Sequence, residues 1–147
     1  MKYLSLAISL LLTAIVFSFS TASGDQSASL SLDMSIQLKN FFENLFPTWE
    51  IQLDNLHIIV RKAAHIFEFF ILGLSWHVSF KLFKLKSTYL LYLGLLLPLI
   101  DEGIQMFSVE RGPSIIDALL FDFPGFFIGS TILPALYKKV FQQNAPK

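Results

Sequence analysis

The stretch YLLYLGLLLPLIDEGIQMFSVERGP, residues Tyr89–Pro113, decides how this chain is read. It begins as an apolar membrane span and then places Asp101, Glu102 and Gln105 on the same helix. An ionised carboxylate at the centre of a bilayer costs about 2.5–3.5 kcal/mol on insertion scales, so such residues are rare without a purpose. Asp101 and Gln105 are four apart, and Glu102 and Gln105 three apart, so all three share roughly one face. That face needs partners, and the rest of the chain is read for them.

The 147 residues are 54% hydrophobic with 16 Phe, and the mean hydropathy is +0.59. That apolar share exceeds what a soluble domain carries and needs lipid to bury it. There is no cysteine, which excludes disulfides and thiolate metal ligands. The formal net charge is zero and no basic stripe stands out, so nothing points to nucleic acid. No glycine loop suited to cradling phosphate is present. The length suits one domain spanning residues 1–147.

Working outward, Tyr3 to Phe19 is an apolar run of 17 residues. As a helix it rises about 26 Å, enough to span. Ser20-Thr21-Ala22 also fits a small-residue cleavage site, so a retained span and a cleaved signal peptide both match, and both send the next segment of the chain to the outer side. Gly24–Asp33 is rich in Ser, Asp and Gln and reads as loop. Ser35–Phe46 has Leu38, Phe41, Phe42 and Leu45 at helical spacing, with one greasy face for the outer leaflet or for other helices. Pro47 stops it. Trp49, Leu53, Leu56 and Val60 make a second short stripe. Arg61–Leu85 is a strong span carrying His65 and Glu68 three apart. Ser114 is a good N-cap for the last helix, which carries Asp117, Asp122 and the small pair Gly125 and Gly129.

The fold expected is all-α: a four-helix transmembrane bundle with one or two short outer amphipathic helices. The spans fall near residues 3–21, 63–83, 88–109 and 115–137, with an outer loop over 22–62. With the N-terminus inside, Lys2, Lys81, Lys84, Lys86, Lys138, Lys139 and Lys147 are cytoplasmic, against Lys39, Arg61, Lys62 and Arg111 outside. This obeys the positive-inside rule and puts both termini in the cytoplasm. Helical rise then brings Arg61, Lys62, His65, Glu68, Asp101, Glu102, Gln105, Arg111, Asp117 and Asp122 to similar depth in the outer leaflet.

Several runs resemble the VanZ-like family. VRKAAHIFEF (Val60–Phe69) is similar to the start of its second span, V-R-K-x-A-H-x-x-E-Y, with Phe69 where Tyr is usual. DEGIQMFSVERGPSIID (Asp101–Asp117) is similar to its D-E-x-x-Q-x-F, R and D run, with Glu110 where Gly is usual before the Arg. FSFSTASGDQSASLS (Phe17–Ser31) resembles the Ser-rich segment after the family's first span. The family's last helix usually has an acid, then Asn or Asp four residues on and Gly three further. Here Asp117 and Asp122 are five apart, which rotates Asp117 by about 100° in an ideal α-helix. The resemblance implies a multi-pass protein of a bacterial cell membrane, a retained first helix and a link to low-level teicoplanin resistance. It supplies no reaction.

Three readings of the polar cluster stand side by side. It locks the bundle together through ion pairs. Or it forms a pocket for an outer-leaflet lipid, a lipid-linked cell-wall precursor or a lipoglycopeptide. Or it is a membrane-embedded enzyme, with His65 as general base and Arg61 or Arg111 on a phosphate. The sequence assigns no cofactor and no metal. A set of His65, Glu68, Asp101 and Glu102 is the metal variant of the enzymatic reading.

Overall fold

The computed structural model describes residues 1–142, and every regular element among them is helical. Lys147, counted above among the cytoplasmic cations, lies outside the described residues.

Helix α1 is Lys2–Ser20. Its inward side is small and polar, with Ser9, Val16 and Ser20 buried, while Leu4, Ile8, Leu11 and Phe19 are exposed. Ser9 Oγ meets Ser79 Oγ at 2.9 Å, and Trp76 Nε1 donates to Thr13 Oγ1 at 3.2 Å. The inversion extends across the fold. Among the described residues the buried polar and charged side chains outnumber the buried large apolar ones, and Leu, Ile and Phe crowd the surface. A fold made for water does the reverse. Two helices, Lys2–Ser20 and Ile115–Lys139, are long and apolar enough to cross a membrane by length and composition.

Helix α2, Gly24–Leu45, corrects the sequence reading, which places a loop at Gly24–Asp33 and one or two short helices beyond. The serines explain the difference. Ser23 caps the helix, its hydroxyl accepting from the Gln26 N–H at 3.3 Å, and Asp25 sits in the positively polarised first turn. Ser29, Ser31 and Ser35 then donate to carbonyls one turn back, so their hydroxyls do not compete for the helical N–H groups. The helix packs on α3 and ends just before Pro47. The second apolar stripe is no separate element. It opens α3, Leu53–Leu82, which runs unbroken through the span expected at 63–83.

Helix α4, Thr88–Gln105, ends four residues before the expected boundary at Val109. The chain there tightens, with the Phe107 and Ser108 N–H groups bonding to Ile104 and Gln105 carbonyls. Glu110 then takes a left-handed conformation at φ 60°. This accounts for the Gly usual at that place in VanZ-like chains.

The C-terminal helix is five consecutive pieces: Ile115–Asp117, a π-helical Ala118–Asp122, Phe123–Phe127, a second π-helical Ile128–Ile132, and Leu133–Gln142. It packs along α3 at backbone contact. A Cβ on Gly125 or Gly129 would fall on the carbonyls of Ile66 or Phe70, and one on Gly73 on that of Phe126. Apolar burial drives helix association weakly in lipid, so such close packing, with polar bonds, is what holds helices together there. Phe69, Leu72, Leu90, Leu97 and Phe126 fill the junction of α3, α4 and this helix. Phe69 is wholly buried and, unlike Tyr, has no hydroxyl to satisfy.

Candidate functional site

Successive turns of α3 bring Arg61, Lys62, His65 and Glu68 to one end of the bundle. The last turns of α4 bring Asp101, Glu102 and Gln105 to the same end, all three buried. Charges inside apolar helices must find partners there.

Asp101 has two. Ser20 Oγ donates to its Oδ1 at 2.5 Å, and Gln105 Nε2 donates to its Oδ2 at 2.9 Å. Arg111 steadies this arrangement from the turn. Its Nη1 donates to Gln105 Oε1 at 3.4 Å, its Nε to the Ala22 carbonyl at 3.1 Å and its Nη2 to the Phe19 carbonyl at 2.7 Å. Burial, and next the neighbouring Arg61 charge, hold the Arg111 guanidinium below its usual range. Glu102 has a different task. Its Oε2 accepts from the Ser114 N–H at 2.6 Å and so clasps the start of the C-terminal helix.

Lys62 forms an ion pair with Asp117, and His65 Nδ1 lies 3.2 Å from Asp122 Oδ1. In an α-helical C-terminal segment Asp117 and Asp122 would lie about 140° apart around the axis, about 100° more than a four-residue spacing gives. The π segment prevents this. The Phe123 N–H bonds to the Ala118 carbonyl five residues back, and the wider turn takes up the extra residue. Both acids therefore face α3, which corrects the offset inferred from spacing. The His65–Asp122 contact is within ion-pair distance but lacks hydrogen-bond alignment. Asp122 is 1% exposed, and neither of its oxygens has a hydrogen-bond partner.

Two cavities flank these contacts. One, of about 350 Å³, has an apolar wall that includes Phe19, Leu30, Met34 and Val60, and a polar wall of Arg61, His65, Glu68 and Arg111. The other, of about 20 Å³, lies among Arg61, Lys62, His65, Glu102, Gln105, Asp117 and Asp122. Arg61 and His65 line both. All ten residues picked from the sequence thus meet in one region. The metal variant read from the sequence is not the tightest donor group among the described residues: Glu102 accepts from Ser114, and the ligand atoms within 4.8 Å of one another are those of His65, Asp101 and Asp122.

Sequence reasoning missed Ser20, whose hydroxyl in an apolar run gives no signal, and the contact of Ser31 Oγ with His57 Nε2 at 2.7 Å. His57 belongs to the first turns of α3, not to an outer loop.

A family model described as VanZ/LLP1 matches residues 5–137 of the chain. The chain belongs to the VanZ/LLP1 family. The match takes in most of α1 and most of the C-terminal helix, so every residue of the cluster lies inside it. Neither a curated protein sequence nor a solved structure matches this VanZ/LLP1 chain. Family and apolar helices together make it a VanZ-like membrane protein.

Proposed function

We propose that this VanZ/LLP1 protein is a multi-pass protein of a bacterial cell membrane, with both termini cytoplasmic, that binds the phosphate-bearing head of an outer-leaflet amphiphile. A lipid-linked cell-wall precursor is the fitting class. The observation that carries the reading is Arg61 beside Arg111 on the polar wall of a cavity whose other wall is apolar. Arg111 is committed to carbonyls, but Arg61 makes no hydrogen bond or ion pair among the described residues. A guanidinium left free beside a second cation matches a phosphate, which takes its planar fork in two hydrogen bonds. The cavity's volume is within the roughly 300–1,000 Å³ usual for small-molecule sites. Teicoplanin protection, where a host shows it, follows from occupancy of this cavity by a precursor or by the drug's own lipid tail.

The test uses purified protein in uncharged detergent, titrated with geranylgeranyl phosphate and with geranylgeraniol. The phosphate binds the wild type at least about tenfold more tightly than the alcohol, a difference of about 1.4 kcal/mol. Arg61→Gln removes the preference. Equal affinity for both probes, or a preference that survives Arg61→Gln, sinks the reading. In a glycopeptide-susceptible Gram-positive host, protection selective for teicoplanin over vancomycin and lost in Arg61→Gln ties the cavity to resistance.

A further inference from the structure

We propose that His65, Asp101 and Asp122 form a site for one divalent first-row metal ion, Zn²⁺ or Mn²⁺, held between α3, α4 and the C-terminal helix. Each residue offers one ligand atom, and these atoms all lie within 4.8 Å of one another. The site is distinct from lipid binding and stands whether or not the neighbouring cavity takes a phosphate.

Asp122 is the decisive residue. A carboxylate 1% exposed with neither oxygen hydrogen-bonded has lost water and gained no hydrogen bond in return. That is costly for any buried polar group and most of all for a charge. His65 Nδ1 lies 3.2 Å from its Oδ1 but is misaligned for a hydrogen bond. Two donors at that separation, each about 2.1 Å from an ion, subtend about 100°, close to the angle of a tetrahedral zinc site.

Asp101 completes the set in the manner of an oriented ligand. Ser20 and Gln105 each donate to one of its oxygens, fixing the carboxylate and leaving lone pairs free. Partners of this kind behind a ligand are the usual second layer of a metal site. Charge agrees as well, because a divalent cation cancels two carboxylates and leaves neutral imidazole as the third ligand. One imidazole and two carboxylates suit Zn²⁺ or Mn²⁺, whereas thiolate sites are excluded by the lack of cysteine. His65 also borders the cavity that holds Arg61 and Arg111, so an open coordination position would face that space.

The experiment strips the purified full chain with chelator, then adds Zn²⁺ or Mn²⁺ and reads bound metal per chain and the melting temperature. Wild type takes up one ion and melts higher with it. Asp122→Asn, nearly isosteric, weakens binding by more than the roughly 10–100-fold typical of losing an outer-layer partner. Its melting temperature no longer responds to the ion. His65→Gln gives the same result and carries the test if Asp122→Asn fails to fold. Asp117→Asn, outside the donor set, binds as wild type. Failure of the wild type to take up either ion, or undiminished binding in Asp122→Asn and His65→Gln, overturns the proposal. The lipid titration needs no added metal, so the two readings fail separately.

Discussion

Lys62 on α3 and Asp117 on the C-terminal helix form an ion pair that an ideal α-helix would not allow alongside the contact of His65 with Asp122. The π segment at Ala118–Asp122 permits it by absorbing one residue more than the family's usual spacing. Deleting Leu120, which is 61% exposed, should therefore restore the shorter spacing and keep Asp117 on Lys62 and Asp122 on His65. Thermal unfolding in detergent should show a cost below about 1 kcal/mol, within the range of a benign change. Deleting the equally exposed Phe67 shifts the register of α3 by about 100° and should abolish folding. If both deletions prove equally damaging, the π segment is not a local absorber.

Glu110 holds φ at 60°, where side chains cost energy and glycine does not. Glu110→Gly should raise stability by about 0.5–1 kcal/mol, the strain relieved less the added freedom of the unfolded chain. A lower melting temperature in this variant would show that the Glu110 side chain contributes more than its backbone costs.

Gly125→Ala and Gly129→Ala drive a methyl into carbonyls of α3, so each should destabilise by at least about 1–3 kcal/mol, the usual penalty for overpacking. Gly103, with nothing within 4 Å of an added Cβ, is the control. Gly103→Ala lies inside α4 and should be neutral or stabilising by up to about 1 kcal/mol. Matching melting curves for Gly103→Ala and Gly125→Ala would contradict the backbone contact between α3 and the C-terminal helix.

The proposed orientation is open to single-cysteine labelling, because the chain has no cysteine of its own. Ser27→Cys, in the first turns of α2, should react with an impermeant thiol reagent on intact cells. Ser87→Cys, just before α4, should react only after the cells are opened. The reverse pattern would invert the topology and move the cavity to the cytoplasmic side.

Lys39 and Glu43 clasp the turn between α2 and α3. Lys39 Nζ donates to the Ile51 carbonyl at 2.7 Å, and Glu43 Oε1 accepts from the Ile51 N–H at 3.2 Å. The Lys39 hydrogen bond, followed by the Ile51 N–H, lowers the Glu43 pKa from its ordinary value. A depressed folded pKa means the clasp is present above the unfolded value and is lost as pH falls through the folded one. Amide exchange at Ile51, corrected for its intrinsic pH dependence, should quicken below the usual carboxylate range. In Glu43→Gln it should be fast throughout, and protection unchanged at neutral pH would release Glu43 from this role.

What was legible in the sequence was what is costly in lipid. Asp101, Glu102 and the Arg61–Glu68 run announce themselves because charge inside apolar sequence is rare, and the structure gathers them all at one end. What was illegible was cheap or depended on docking. Ser20 is a hydroxyl that any apolar helix tolerates, so only its 2.5 Å contact reveals it. The serines of α2 look like a loop until each finds a carbonyl one turn back. The π segments follow no periodic pattern, and the unsatisfied oxygens of Asp122 exist only once three helices have met.

The bond from Ser20 to Asp101 joins positions 81 residues apart. Translation adds roughly 5–20 residues per second, so Ser20 leaves the ribosome several seconds before Asp101. Through that interval the end of α1 waits without its acceptor. Asp101, once made, still lacks the C-terminal helix that finishes its enclosure. An incompletely assembled chain thus leaves the Asp101 carboxylate without the cover that the finished fold gives it. The cover over that one side chain therefore reports whether the first and last helices have closed on the rest.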